Sequence, residues 1–218
     1  MLLLKTNLIV FICLSGVIIY AQSDKGWKLR KKQDGITVYT RASDSSDFRQ
    51  LKMNVQLKTR LSALVALYKD VPGYMNWVYS CKVSEVLKGG AENEQYYYSE
   101  SETPWPVSNR DATLYSVIEQ DSNTLIVTSV SRSVIGLKPE VKGNVRVTKL
   151  YSVWTLVPMG DGMVDVTYFL SVDPAGWVPA WLMNMTIAIG PLKTLRNLRE
   201  EIKKDKYTGA EFDFIKEP

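Results

Sequence analysis

The stretch Val172-Asp173-Pro174-Ala175-Gly176-Trp177-Val178-Pro179 constrains the fold of this chain more than any other. A β-patterned run ends there, and a helical period begins. Trp181, Met185, Ala188, Leu192, Leu195 and Ile202 step by threes and fours, which predicts one long helix from about Pro179 to Lys204. At 1.5 Å per residue it would be about 37 Å long. Trp181 to Leu192 is nearly all apolar, so this half must lie on another apolar layer. From Lys193 onward the helix is half charged. Pro179 suits a first helical turn, and Pro191 predicts a kink.

The preceding chain is mostly strand. Leu51, Met53, Val55 and Leu57 alternate with Lys52, Asn54, Gln56 and Lys58, a half-buried strand with one wet face. Ile36 to Thr40 is β-rich. Leu61, Leu64, Val65 and Tyr68 switch to helical spacing, Pro72-Gly73 stops that helix, and a short second helix is expected from Met75 to Tyr79. Strands are predicted at Val83–Leu87, Gln95–Ser101, Asp111–Glu119, Leu125–Ser131, Val145–Val157 and Val164–Val172. Gly160-Asp161-Gly162 marks a tight turn between the last two. Short links between successive strands imply an antiparallel meander. Residues 24–33 are expected to form a short helix stopped at Asp34-Gly35.

The N-terminus reads as a secretory signal. Lys5 precedes a run from Leu8 to Tyr20, and Ala21-Gln22 offers a small residue before a polar one. Cleavage after Ala21 would leave a single domain, residues 22–218, exported to a periplasm or secreted. An uncleaved N-terminal membrane anchor is the alternative. Cys81 would then be the sole cysteine, which excludes an intramolecular disulfide and fits a small buried apolar position. A mature charge of about +3 gives no argument for nucleic acid. The clusters Lys28-Leu29-Arg30-Lys31-Lys32 and Lys203-Lys204 read as solvated helix faces, with a phosphate or anionic-lipid role as the alternative. The chain has no histidine, which removes Ser-His-Asp and Cys-His nucleophilic sites and the commonest zinc ligand. It has no glycine-rich nucleotide loop either. No metal or cofactor is expected.

Several segments together resemble the START lipid-transfer family. They are Trp27-Lys28-Leu29 with Asp34 to Arg41; Asp70 and Trp77; Pro104-Trp105-Pro106-Val107-Ser108-Asn109-Arg110-Asp111; Val145-Arg146-Val147; Trp154-Thr155-Leu156; and Asp173 to Pro179 with Asn184 and Leu195 to Arg199. The likeness spans about residues 26–200. It implies an α+β helix-grip fold, a curved antiparallel sheet wrapped around a long C-terminal helix and enclosing a hydrophobic cavity. It implies non-catalytic binding and transfer of one lipid, by a monomer in transient contact with membranes. The lipid class, sterol-like, phospholipid or fatty acyl, stays open. A sixteen-carbon chain costs roughly 13 kcal/mol to move into water, so a carrier must offer a dry apolar interior. The Gly136–Gly143 loop and the C-terminal helix are the candidate moving parts.

Candidate cavity residues follow. Tyr97 and Ser116 fall where some sterol-binding members carry an acid–arginine pair. Here both are uncharged, which argues against a sterol, while their hydroxyls offer hydrogen bonds to a lipid head. Arg110 and Asp111 read either as a polar anchor in the cavity or as a structural pair fixing a turn to a strand. Arg146 reads as a head-group ligand or as an ordinary ion-pair partner. Trp154, Tyr168, Met183, Met185 and Ile189 are expected on the wall. Trp177 and Trp181 read as packing the turn onto the sheet, with membrane contact as the alternative. A rival reading makes the protein a cyclase- or hydrolase-like enzyme in the same cavity, with Arg110, Asp111 and Tyr97 as its acid–base group.

Overall fold

The computed structural model describes residues 26–43, 48–179, 182 and 189–218. One ten-stranded sheet dominates. Its strands are β1 (Lys28–Gln33), β2 (Ile36–Arg41), β3 (Gln50–Lys58), β4 (Cys81–Gly89), β5 (Glu94–Ser101), β6 (Arg110–Gln120), β7 (Val127–Ser133), β8 (Val145–Arg146), β9 (Lys149–Gly160) and β10 (Met163–Asp173). The order across the sheet is β1-β2-β3-β10-β9-β7-β6-β5-β4, with β8 paired beside β6. All pairings are antiparallel except β6 with β8. Among the described residues, the sheet is followed or interrupted by the α-helices α1 (Leu61–Lys69), α2 (Tyr74–Trp77), α3 (Gly190–Glu201) and α4 (Asp205–Thr208).

Period-two alternation sorts each strand into two faces. Met53, Val55 and Leu57 of β3, Leu156 of β9, and Val164 and Val166 of β10 point to the helix side and are buried. Leu61, Leu64 and Leu67 of α1 and Leu192, Leu195 and Leu198 of α3 close over them. Full burial of each such side chain contributes about 1.5–3 kcal/mol. Pro191 lies in the first turn of α3, where its missing N–H costs no helical bond, so it opens this helix instead of bending it. The first half of the expected long helix, with Trp181, Met183, Asn184 and Met185, lies outside the described residues, as does the expected signal.

The predicted helix at residues 24–33 is instead strand β1. Asp34 and Gly35 both take positive φ, 54° and 75°, and two such residues make the turn of a tight hairpin. Pairing with β2 then overrides the charge pattern, and all of β1 is exposed as a sheet edge. Its lysines blunt that edge against other chains, so this cluster is not a helix face. The single strand expected over Val145–Val157 is split into β8 and β9. Cys81 is half-buried and a free thiol, less enclosed than expected.

Asp70 fastens α4 to the turn after α1. It accepts hydrogen bonds from Tyr207 Oη at 2.7 Å and Lys206 Nζ at 2.6 Å. Burial pushes this carboxyl up, but the Lys206 and Tyr207 hydrogen bonds together outweigh it and hold it below the usual carboxylate value. A depressed pKa means stability that is present above the unfolded value of about 3.9 and lost as pH falls through the folded one. Thermal melts from pH 7 to pH 2.5 are therefore expected to show wild type losing more stability than Asp70→Asn below about pH 4.

A two-chamber interior between sheet and helices

Between the sheet and its helices lies an interior in two adjoining chambers of about 300 and 290 Å³. They share Leu51, Ser99, Ser101, Leu114, Leu150 and Leu170 as wall. Volumes of roughly 300–1,000 Å³ are typical of small-molecule sites.

The deep chamber owes its room to serine. The cross-strand register sets Gln95, Ser116, Ser131 and Ser152 in one row across β5, β6, β7 and β9, all on the helix side. Ser131 and Ser152 of this row, with Ser99, Ser101 and Ser129, line the chamber, and their short side chains leave space that leucines would fill. An aromatic cluster forms the floor beside this row. Trp154 lies 4.2 Å from Tyr168 and 4.9 Å from Tyr68, centroid to centroid, and Tyr74 meets Trp77 at 5.4 Å and Tyr97 at 5.6 Å. Tyr97 Oη reaches Ser131 Oγ at 3.4 Å. Burial pushes the Tyr97 phenol up to about 12 and raises Tyr68, Tyr74 and Tyr168 as well, so all four are neutral hydroxyls in use. Pro191 and Thr194 of α3 complete the wall, and Thr194 Oγ1 accepts from the Tyr79 amide at 3.1 Å, tying α3 to the segment after α2.

The outer chamber is framed by Thr103, Arg110, Val147, Val172, Pro174, Val178 and Leu182. Arg110 is buried, yet its N–H groups go to carbonyls: Ser108 at 2.6 Å, Trp177 at 3.2 Å, and Pro174 and Ala175 at 3.3 Å. It thus pins the loop before β6 to the turn after β10. Each of these segments displays a tryptophan; Trp105 is 90 % exposed and Trp177 is 74 % exposed.

The candidate residues separate accordingly. Tyr97, Trp154 and Tyr168 line the deep chamber, and Arg110 and Asp111 border the outer one. Ser116 faces inward in the serine row and is buried, but is not part of the wall. Ile189 is 40 % exposed, outside the wall expected for it. Met183 and Met185 lie outside the described residues.

Asp111 and Arg146 correct the expectation for them. Strand alternation turns Asp111 to the opposite face of the sheet from Arg110. There it accepts from Arg146 Nε at 2.7 Å, Arg146 Nη2 at 3.1 Å and Tyr98 Oη at 3.1 Å. Their side chains are only 1 % and 10 % exposed. The Asp111 hydrogen bonds hold the Arg146 guanidinium above its usual value. Arg146 also donates to the carbonyls of Lys138 and Pro139, and Lys138 pairs with Glu85 and sits over the Tyr98 ring. The loop expected as a lid is therefore latched to the outer face of the sheet. Asp111 pairs with Arg146, not with Arg110; it borders the outer chamber, but its carboxylate is turned to Arg146 on the other face.

Sequence reasoning missed Ser99, Ser129, Ser131, Ser152 and Thr194. The one available signal was serine recurring at alternate positions of Val127-Thr128-Ser129-Val130-Ser131, where the inward face carries the hydroxyls.

The fold and interior define a lipid-transfer architecture, and residues 20–206 match the START domain. The chain belongs to the START domain family. It is 36% identical to a STAR-related lipid transfer protein from Xanthomonas axonopodis whose structure superposes with a TM-score of 0.75, covering 82% of this chain and 99% of that one. It is 33% identical to the uncharacterized protein PA1579 of Pseudomonas aeruginosa, over 82% of this chain and 87% of the relative. The phosphatidylcholine transfer protein of Rattus norvegicus is 23% identical over 79% of this chain and 81% of its own.

Proposed function

We propose that this protein is a non-catalytic carrier that holds one lipid in its two-chamber interior and exchanges it at a membrane surface. The observation that carries this reading is the deep chamber, walled by serines and neutral aromatics between sheet and α3. No carboxylate converges there with an acid or base among the described residues. The rival enzyme needs a titratable pair facing its substrate; Asp111, its main candidate, is committed to Arg146 on the other face. Co-purification of lipid and transfer between vesicles are the direct tests.

Trp105 and Trp177 flank the outer chamber and form the membrane-facing rim in this reading, since exposed tryptophans favour the bilayer interface. The double variant Trp105→Ala/Trp177→Ala is expected to slow lipid transfer between vesicles at least about tenfold while leaving affinity for solubilised lipid within about twofold. Equal transfer rates would place the rim elsewhere. Export is part of the same proposal: the N-terminal apolar run directs the chain out of the cytoplasm, the domain works there as a monomer, and fractionation with N-terminal sequencing tests for cleavage after Ala21.

A further inference from the structure

We infer that the buried end of the cargo carries an uncharged hydrogen-bonding group, such as a hydroxyl, ester or ketone, and that lipids presenting a carboxylate or phosphate there are rejected. This rests on the reading of the interior as a lipid site and names the chemical class that it takes.

Two independent features support it. No charged side chain lines the deep chamber among the described residues. A carboxylate or phosphate brought into it would lose its hydration and meet no cation in return. The cations of the interior, Arg110 and the exposed Arg49, line the outer chamber instead, and carbonyl oxygens already take the N–H groups of Arg110.

The second feature is a set of unpartnered polar groups in the same wall. Ser129 is 3 % exposed, lines the deep chamber from β7, and its hydroxyl has no hydrogen-bond partner among the described residues. Tyr68 Oη and Trp77 Nε1 belong to residues of this wall, are sealed from water, and have no partner either. Buried polar groups are nearly always paired; two of the five sealed, unpartnered side-chain atoms among the described residues belong to this wall, and with the open Ser129 hydroxyl they mark where a ligand's polar group is received. The Trp77 indole only donates, while hydroxyls donate or accept. The matching group must therefore contain an acceptor, and a neutral one meets no desolvation barrier of the ionic kind.

Matched pairs test this: oleyl alcohol against oleate at pH 8, and dioleoylglycerol against dioleoyl phosphatidic acid and dioleoyl phosphatidylcholine, each titrated into the purified protein. The neutral member of each set is expected to bind at least about tenfold tighter. Ser129→Ala is expected to weaken only the neutral lipids, by about fivefold, with Ser129→Thr restoring them. Tyr68→Phe is expected to weaken neutral lipids without lowering the melting temperature, because it removes a buried unpaired hydroxyl. Equal affinity for the charged members, or no effect of Ser129→Ala on the neutral ones, overturns the inference while leaving the carrier reading standing. Binding of no member of any set overturns both.

Discussion

Asp111→Ala is expected to destabilise the protein by about 3–5 kcal/mol, the usual cost of leaving one partner of a buried ion pair uncompensated. At roughly 2–4 °C per kcal/mol for a domain of this size, the melting temperature should fall by more than about 6 °C. The reason is structural. Asp111 is 2 % exposed, and its carboxylate receives two N–H groups from Arg146 and the Tyr98 hydroxyl. Removing it leaves a guanidinium enclosed under the loop that Arg146 also binds through Lys138 and Pro139. Replacing both charges should cost less than the two single changes added, because no lone charge then remains buried. Urea denaturation of the two singles and the double checks this. A single-variant loss under about 1 kcal/mol would show that the latch is a surface pair.

The second large effect concerns the interior. Ser129→Leu is expected to cut lipid affinity by about a hundredfold or more, while stability changes by no more than about 1–2 kcal/mol. The hydroxyl of Ser129 has no bond to lose among the described residues, and the added carbons would fill the space that the proposed cargo takes. An ordinary core offers no such latitude, since overpacking there forces strain. Probe displacement paired with thermal melts separates the outcomes. Lost stability with unchanged affinity would mean that this wall is packed core and that the lipid lies elsewhere.

Much of this fold was legible in sequence because its strands and helices announce their periods. The alternation in β3, the period change at α1 and the Pro/Gly turn after β10 each map onto one element. β1 escaped because its evidence is not local: Lys28–Gln33 carries a charged pattern with no inward face, and only the Asp34-Gly35 hairpin makes it a strand. β8 escaped for the same reason, being defined by two residues that pair with β6.

The site was less legible, and the cause is physical. A cavity is made where side chains are small, and serine on the inward face of β7 or β9 looks in sequence like the wet face of a strand. The aromatic wall could be named from Trp154 and Tyr168, since bulky strand residues are buried whether they line a cavity or fill a core. Arg110 and Asp111 stand side by side in the chain and look like a pair. Consecutive strand residues point to opposite faces, so they serve different partners, one joining the loops at the outer chamber and the other latching β8.

Native mass spectrometry of the protein isolated from its own cells addresses the central claim most directly. The expected spectrum shows the folded chain carrying one additional mass in the lipid range, at one per polypeptide, released on denaturation and neutral in its polar group. A spectrum of bare polypeptide alone, from protein that also takes up none of the offered lipids, would contradict the account.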